Sequence, residues 1–385
     1  MRHIPYAAQN IDRADVKAVQ AVLNSAYLTQ GPQVEQFEKA VCAYTGAKFA
    51  VAVNSGTSAL HIACLASGLR KGDEGITAPI TFAASANAML YCGARPKFAD
   101  VQSDTVCIDP LEVEKQINKK TKIIIPVHFA GHPCDLEEIH KLAKKNKMMV
   151  IEDAAHAFGA EYKGSKIGAG KYSDMTILSF HAVKHVTTGE GGMVLTNNKE
   201  LFQKLIKLRT HGITRDPKML NNNHGAWYYE MSELGYNYRL TDFQCALGIS
   251  QLKKLPAFIE KRHEIVNRYN DFFGQISCAQ PLGVKSYIEH AYHLYVVRFK
   301  ADQLRASRRI IFDEYRQAGI MVNVHYLPVY HHPYYRRIGY KKCICANAEK
   351  YYEEAITLPL HPGLSKKEVD YILLTTKAIL KKYKK

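Results

Sequence analysis

The sequence predicts an α/β fold. A large domain over residues 12–250 is built on a mostly parallel sheet, and a smaller α+β domain over 251–385 takes in the N-terminal segment 1–11. Three observations predict it. From about residue 12 to residue 210, short apolar runs alternate with segments of helical period, the pattern of parallel strands joined by crossover helices. After about residue 240 the alternation gives way to one long helical stretch and a few scattered strands. The 385 residues are 47% hydrophobic and 23% charged, enough to bury a sizeable core without disulfide or metal staples.

In chain order, Asp12 is suited to cap a first helix whose apolar positions include Val16, Val19 and Val22. Residues 33–45 read as a second helix, stopped by Gly46 where a left-handed residue ends the turn. Residues 49–53 form a strand with a helix behind it over 58–67, and 76–78 a short strand followed by a helix over 83–91. Further strands fall at 122–127, 148–151, 176–180 and 193–196, with a helix at 136–145. Beyond them the pattern gives a long helix over 240–271, strands at 294–299 and 321–325, and helices at 304–318 and 366–382. The boundary between domains falls near 250–260, beside or within the long helix.

Composition narrows the function. No apolar run approaches the ~18 residues a membrane-spanning helix needs, and the N-terminus lacks the apolar core of a signal peptide, so a cytoplasmic protein without membrane partners is expected. The nine cysteines are odd in number with no Cys-x-x-Cys, which points to free thiols rather than a disulfide framework or zinc site, with Cys343 and Cys345 expected at the surface. Fifty-two Lys and Arg against 36 Asp and Glu leave a formal charge of +16. No nucleic-acid motif accompanies it, so the charge suits an anionic metabolite such as a sugar nucleotide, or simply a lysine-rich surface. His325, His331 and His332 sit in a Pro- and Tyr-rich stretch without evident carboxylate partners, and no metal is expected. Gly168 to Lys171 resembles a Walker loop but fails it, since Ser165 occupies the first glycine position and Tyr172 follows the lysine.

Three segments carry chemistry. Asn54-Ser55-Gly56-Thr57-Ser58 lies between a strand and a helix, where hydroxyls and free N–H groups can cradle a phosphate or merely cap the helix. Asp153 stands at the carboxyl end of an apolar strand, where open α/β sheets bind ligands; an acid there can serve a metal, a ribose or a protonated ring nitrogen, or be an ordinary ion-paired carboxylate. Lys184 leaves another apolar strand and meets the glycine-rich turn 187–192; desolvated, such a lysine becomes a nucleophile, although most lysines of this chain belong on its surface. Cradle, acid and lysine in that order are what pyridoxal phosphate (PLP) requires.

With these residues in place, the sequence resembles the DegT/DnrJ/EryC1/StrS family of PLP-dependent sugar aminotransferases. The motifs run nearly end to end: Leu28-Thr29-Gln30-Gly31-Pro32, Asn54 to Leu60, Thr81 to Ala88, Glu152 to Ala157, Ser179 to Gly192, Gly235 to Leu240, Val324 to Pro328 and Leu358 to Gly363. The resemblance implies fold type I, the aspartate aminotransferase-like architecture, and pyridoxal 5'-phosphate as cofactor. Lys184 then matches the lysine that holds the cofactor as an imine and moves the proton, and Asp153 the acid on the pyridine nitrogen. Gly56, Thr57 and Ser179 match the phosphate cradle, and Phe82 an aromatic stacked on the ring, unless it is a plain core aromatic. His156 stands where many members carry Gln. Asn237 matches an asparagine that reaches the phosphate from the second subunit, which implies a homodimer with shared active sites. Tyr6, Tyr27, Leu28, Thr29, His325 and Tyr326 match segments lining the sugar-nucleotide site.

Within the family the motif from Ser179 to Gly192 is most similar to the pseudaminic acid branch. That implies transfer of an amino group from L-glutamate to C4 of a UDP-4-keto-6-deoxy-N-acetylhexosamine; other nucleotide-4-ketosugars remain open. His185 departs from the proline usual in that branch, Gly75 from a valine and Ala7 from a common serine. A PLP-fold regulator that binds DNA is the alternative from another class, and no helix-turn-helix signature supports it.

Overall fold

The computed structural model describes residues 3–222 and 224–385. Its centre is a seven-stranded sheet made of β1 (Phe49–Val53), β2 (Glu74–Thr77), β3 (Arg95–Phe98), β4 (Thr121–Ile125), β5 (Met149–Asp153), β6 (Met175–Ser179) and β7 (Gly192–Thr196). They lie side by side in the order β1-β7-β6-β5-β4-β2-β3. The pairs from β6 through β5, β4 and β2 to β3 are parallel, while β7 runs antiparallel to both neighbours, β6 and β1. Two reversals bring β1 back into line with the parallel strands.

Alternate residues of each strand enter opposite cores, as a period of two demands of a sheet covered on both faces. Val51, Val53, Ile123, Ile125, Ile151, Ile177 and Val194 pack with the helices Gly56–Ala66 and Lys199–Arg209. Ala50, Ala52, Leu178, Met193 and Leu195 face the helices Pro32–Thr45 and Asp242–Leu252 instead. Local signals set the helix ends. Asp12 and Asp15 form a capping box, Gly46 adopts φ 86° after Thr45, and Ser365 with Glu368 caps the last helix, Lys366–Tyr383.

The C-terminal part departs from the expectations in three places. The long helix is two, Asp242–Leu252 and Leu255–Phe273. Pro256 has no N–H for the Leu252 carbonyl, and its ring would crowd that carbonyl, so the first helix ends short of it. The expected helix at 304–318 begins only at Arg308, capped by Ser307. The expected strand at 321–325 makes only one isolated bridge, Asn323 to Thr357, with another just before it, Ile4 to Ile320. The third strand of the small sheet is instead Ala355–Leu358 (β10), antiparallel to Tyr295–Phe299 (β9), which also pairs with Ala279–Pro281 (β8). The core around this sheet runs from Ile265 to Leu380 and includes Ile4.

All nine cysteines are free. Cys345 is buried rather than at the surface, packed with Tyr330 and Ala348 in the core. His331 has the carboxylate partner that the sequence did not reveal, with Nε2 2.7 Å from Glu349. Among the described residues no group of three His, Cys, Asp or Glu is placed to hold a metal, and no helix is long and apolar enough to cross a membrane.

Candidate active site

The carboxyl ends of β1, β5 and β6 point to one edge of the sheet and open onto a cavity of about 720 Å³. This is the edge where open α/β sheets bind ligands. β1 runs into the turn Asn54–Ser55, and the helix Gly56–Ala66 starts there with Ser55 as N-cap, its hydroxyl accepting from the Ser58 N–H. The N–H groups of that first turn have no partner within the helix and face the cavity with Gly56 and Thr57. Ser179 closes the cradle from the end of β6. A methyl group on Gly56 would lie 3.1 Å from Ser179 Cβ, so glycine keeps the space between them open. Gly192 works from the other side, where a Cβ would come within 2.4 Å of the Ser55 carbonyl oxygen; only a hydrogen lets β7 pass this close to the turn.

Asp153 ends β5 and is 6% exposed. Its two oxygens are held separately: Oδ1 accepts from the Ala155 N–H at 3.1 Å and Oδ2 from the Ser85 hydroxyl at 2.6 Å. The Ser85 oxygen is in turn 2.7 Å from Thr81 Oγ1. Both hydroxyls are buried, so the carboxylate is fixed in one orientation toward the cavity.

Lys184 lies in the connection between β6 and β7. Because these strands are antiparallel, the chain leaves the sheet after Ser179, turns through Lys184 and returns at Gly192, and the lysine stays at the same edge as Asp153. Hydrogen bonds from Phe180 N to Gly191 O and from Thr188 N to Phe180 O close the base of this excursion. Burial lowers the Lys184 amine to about 8, against the opposing attraction of Asp153, so roughly a tenth is the free base at pH 7. Burial also holds the His156 and His293 imidazoles well below their ordinary values, with the Lys184 charge adding to the effect, and lowers His325 to about 3.

Every cofactor residue expected from the sequence except Asn237 lines this cavity. Phe82 is 64% exposed at its wall and is therefore not a core aromatic. Tyr6, His325 and Tyr326 line it as well; the Tyr326 hydroxyl is 3.3 Å from His156 Nε2, and the Tyr6 and His325 rings are 5.5 Å apart. Tyr27, Leu28, Thr29 and Asn237 are exposed and lie outside it, Thr29 bridged to Thr241 and Asn237 to Thr210. Sequence reasoning missed Thr81, Ser85 and His293. The first two sit within a motif already singled out, Thr81 just before the short helix Ala84–Tyr91 and Ser85 in its first turn, and this run of hydroxyls was a usable signal. His293 had none, since it precedes a strand in the other half of the chain.

A lysine, a strand-end acid and an N-terminal helix cradle at one edge of a mostly parallel sheet define a PLP-binding transferase of fold type I. The chain belongs to the DegT/DnrJ/EryC1/StrS aminotransferase family, whose model matches residues 9–376. It is 40% identical over 385 residues, 99% of each chain, to the UDP-4-amino-4,6-dideoxy-N-acetyl-beta-L-altrosamine transaminase of Campylobacter jejuni serotype O:23/36. It is equally 40% identical over 383 residues, 98% of this chain and 97% of the relative, to the Bacillus subtilis spore coat polysaccharide biosynthesis protein SpsC. Helicobacter pylori PseC, an aminotransferase of pseudaminic acid biosynthesis, superposes with a TM-score of 0.92 at 34% identity, covering 99% of this chain and 100% of the other. A Streptococcus pneumoniae protein described as a sugar aminotransferase, solved in a PLP form, gives 0.91 at 33% identity, over 99% of each chain.

The protein is thus a PLP-dependent sugar aminotransferase. The residues present fit the cofactor: the Gly56 cradle is clear of side chain, the acid is oriented, and the lysine amine is partly deprotonated.

Proposed function

We propose that the protein transfers an amino group from L-glutamate to C4 of a UDP-4-keto-6-deoxy-N-acetylhexosamine, a step of pseudaminic acid biosynthesis. The full-length match to the Campylobacter transaminase carries this reading. PLP, when bound, supplies an electron sink that stabilises negative charge on the carbon losing its proton. In this reading Lys184 anchors the cofactor and moves the proton at the substrate carbon through Nζ. Asp153 keeps the ring nitrogen protonated, and Gly56, Thr57 and Ser179 hold the phosphate. Phe82 and His156 pack on the ring. Tyr6, His325 and Tyr326 bind the sugar nucleotide in the cavity, and Tyr27, Leu28 and Thr29, which lie outside it, reach the sugar nucleotide of a second subunit; its diphosphate suits a chain of formal charge +16.

Asn237 joins the phosphate site of a second subunit. A homodimer is supported by the exposure of Val16 (58%), Leu23 (57%), Tyr27 (57%) and Leu28 (51%), a run of apolar side chains that a second copy would cover. The chain divides near residue 250, with the N-terminal segment packed into the smaller domain, as the grouping of Ile4 with residues 265–380 supports. A cytoplasmic location goes with this substrate class.

The equal identity to SpsC and the His185 departure favour one second reading, a different nucleotide-4-ketosugar as acceptor. The experiment supplies L-glutamate with UDP-, dTDP- and GDP-linked 4-ketosugars and follows the amino sugar nucleotide by mass spectrometry and 2-oxoglutarate by coupled assay. Product from the UDP-N-acetylhexosamine alone supports the proposal, and turnover confined to another sugar overturns it. Lys184→Ala should lower the rate by roughly 10²–10⁴-fold, the range for losing a positioned acid/base.

A further inference from the structure

His293 is 4% exposed and comes from the segment that enters β9, far in sequence from the Lys184 turn. Its Nε2 stands 3.5 Å from Lys184 Nζ, the outer limit of a hydrogen bond and within reach of a small rotation of the lysine stem. The backbone that carries it is clamped. Arg262, 2% exposed, donates through Nη1 to the carbonyls of Tyr292 at 3.0 Å, His293 at 3.3 Å and Leu360 at 3.0 Å. Gly131 lets the segment in, since a Cβ there would come within 3.0 Å of the His293 N–H nitrogen and 2.9 Å of the His156 carbonyl.

The ring is also packed. Its centroid lies 4.4 Å from that of His156 and 5.4 Å from that of His185, whose Nε2 donates to the Ala291 carbonyl at 2.9 Å. The charged and titratable groups around the pair are Asp153, His156, His185, His325 and Arg262. The Lys184 ammonium of the pair and the Arg262 guanidinium are cations, and together with burial they keep the imidazole neutral.

We infer that His293 is a positioning residue for the amination step: its neutral imidazole accepts a hydrogen bond from the Lys184 amine and fixes the direction in which that amine points. No proton changes owner at His293. With one N–H turned toward the imidazole, the remaining valences of the amine are directed into the cavity. A lysine stem alone, with four rotatable bonds, would spread them over many orientations. The inference rests on the assignment of Lys184 as the reacting amine.

The test compares wild type, His293→Gln, which keeps an acceptor, and His293→Phe, which keeps ring bulk alone. The first readout is the pH at which Lys184 of the full chain, stripped of PLP, becomes half-reactive to acetic anhydride, read by peptide mass spectrometry. His293→Phe should lower that midpoint by about one pH unit, because an ammonium that loses an acceptor is less stable. In the holoenzyme it should lower kcat at least about tenfold, with KM for L-glutamate within about threefold. His293→Gln should restore both readouts to within about threefold of wild type. An unchanged midpoint in His293→Phe, or a His293→Gln variant as impaired as His293→Phe, overturns the inference. A wild-type Lys184 that reacts as readily with PLP bound as without it would instead overturn the lysine assignment.

Discussion

Acidification from pH 7.5 to 5.5 should destabilise this protein, and the buried histidines set the size of the effect. Burial holds His325 at about 3 and His361 at about 4. The unfolded chain protonates both near 6.5. The unfolded state therefore takes up protons across this window while the native state does not, so stability falls as pH falls below 6.5. Each site contributes about 1.4 kcal/mol between pH 7.5 and 5.5, and the two together about 2.7 kcal/mol. His156, His185, His290 and His293 are displaced in the same direction and add to the loss. One histidine opposes it: burial pushes His132 down, but the charge and hydrogen bond of the Cys107 sulfur 3.7 Å away, itself held toward the thiolate, carry it above its ordinary value, so its contribution is present below 6.5 and lost as pH rises. Carboxylates titrate mostly below ~4.5 and stay out of the window. With an unfolding entropy of ~2.1 cal/mol/K per residue, His325 and His361 alone lower the melting temperature by about 3 °C. Differential scanning fluorimetry of the PLP-free chain reads the shift without a contribution from cofactor affinity. His361→Gln should remove its own share, about 1.4 kcal/mol or roughly 1.5 °C of the shift. A melting temperature that holds or rises at pH 5.5, or a His361→Gln variant with the wild-type slope, would show that these buried histidines do not govern acid stability.

Two further outcomes follow from distances around the cavity. Ser85→Ala removes the 2.6 Å donor to Asp153 Oδ2 in a buried setting and should cost about 2 kcal/mol, the middle of the range for hydrogen bonds to charged groups. A lower urea midpoint together with faster PLP loss on dialysis would show it, and an unchanged midpoint would mean that the carboxylate finds another donor. Gly192→Ala places a methyl group 2.4 Å from the Ser55 carbonyl and 2.7 Å from the Gly56 nitrogen, both backbone atoms, so β7 must move off the cradle. Overpacking of this kind costs about 1–3 kcal/mol, and PLP affinity measured by equilibrium dialysis should fall with it.

The candidate site was legible to the extent that its residues lie in short contiguous segments. Gly56 and Thr57 follow β1, Asp153 ends β5 and Lys184 follows β6, each within a few residues of a recognisable apolar run. Strand-end placement is a local property, because an apolar run followed by a polar or glycine-rich turn marks both the strand and its mouth. Ser85 and His293 were not legible in the same way. Their partners, Asp153 and Lys184, are 68 and 109 residues away along the chain. The antiparallel direction of β7 also left no trace in the sequence, since a strand buried on both faces reads the same in either direction. That direction is what returns the chain past Lys184 to the cradle at Gly192.

The same division holds for the three-stranded C-terminal sheet. The strand at Ala355–Leu358 follows a helix directly, with no turn residue between them, and ends at a proline, so nothing local announced it. It exists because β9 offers it an edge. Local sequence determined the alternation of strands and helices, the caps, and the identities of the lysine, the acid and the cradle, because backbone preference and hydrophobic period act over a handful of residues. Tertiary structure alone decided which residues hold those groups in place. Hydrogen bonds such as Ser85 to Asp153, and clamps such as Arg262 on the His293 carbonyl, join segments that only the folded chain brings within 3.5 Å.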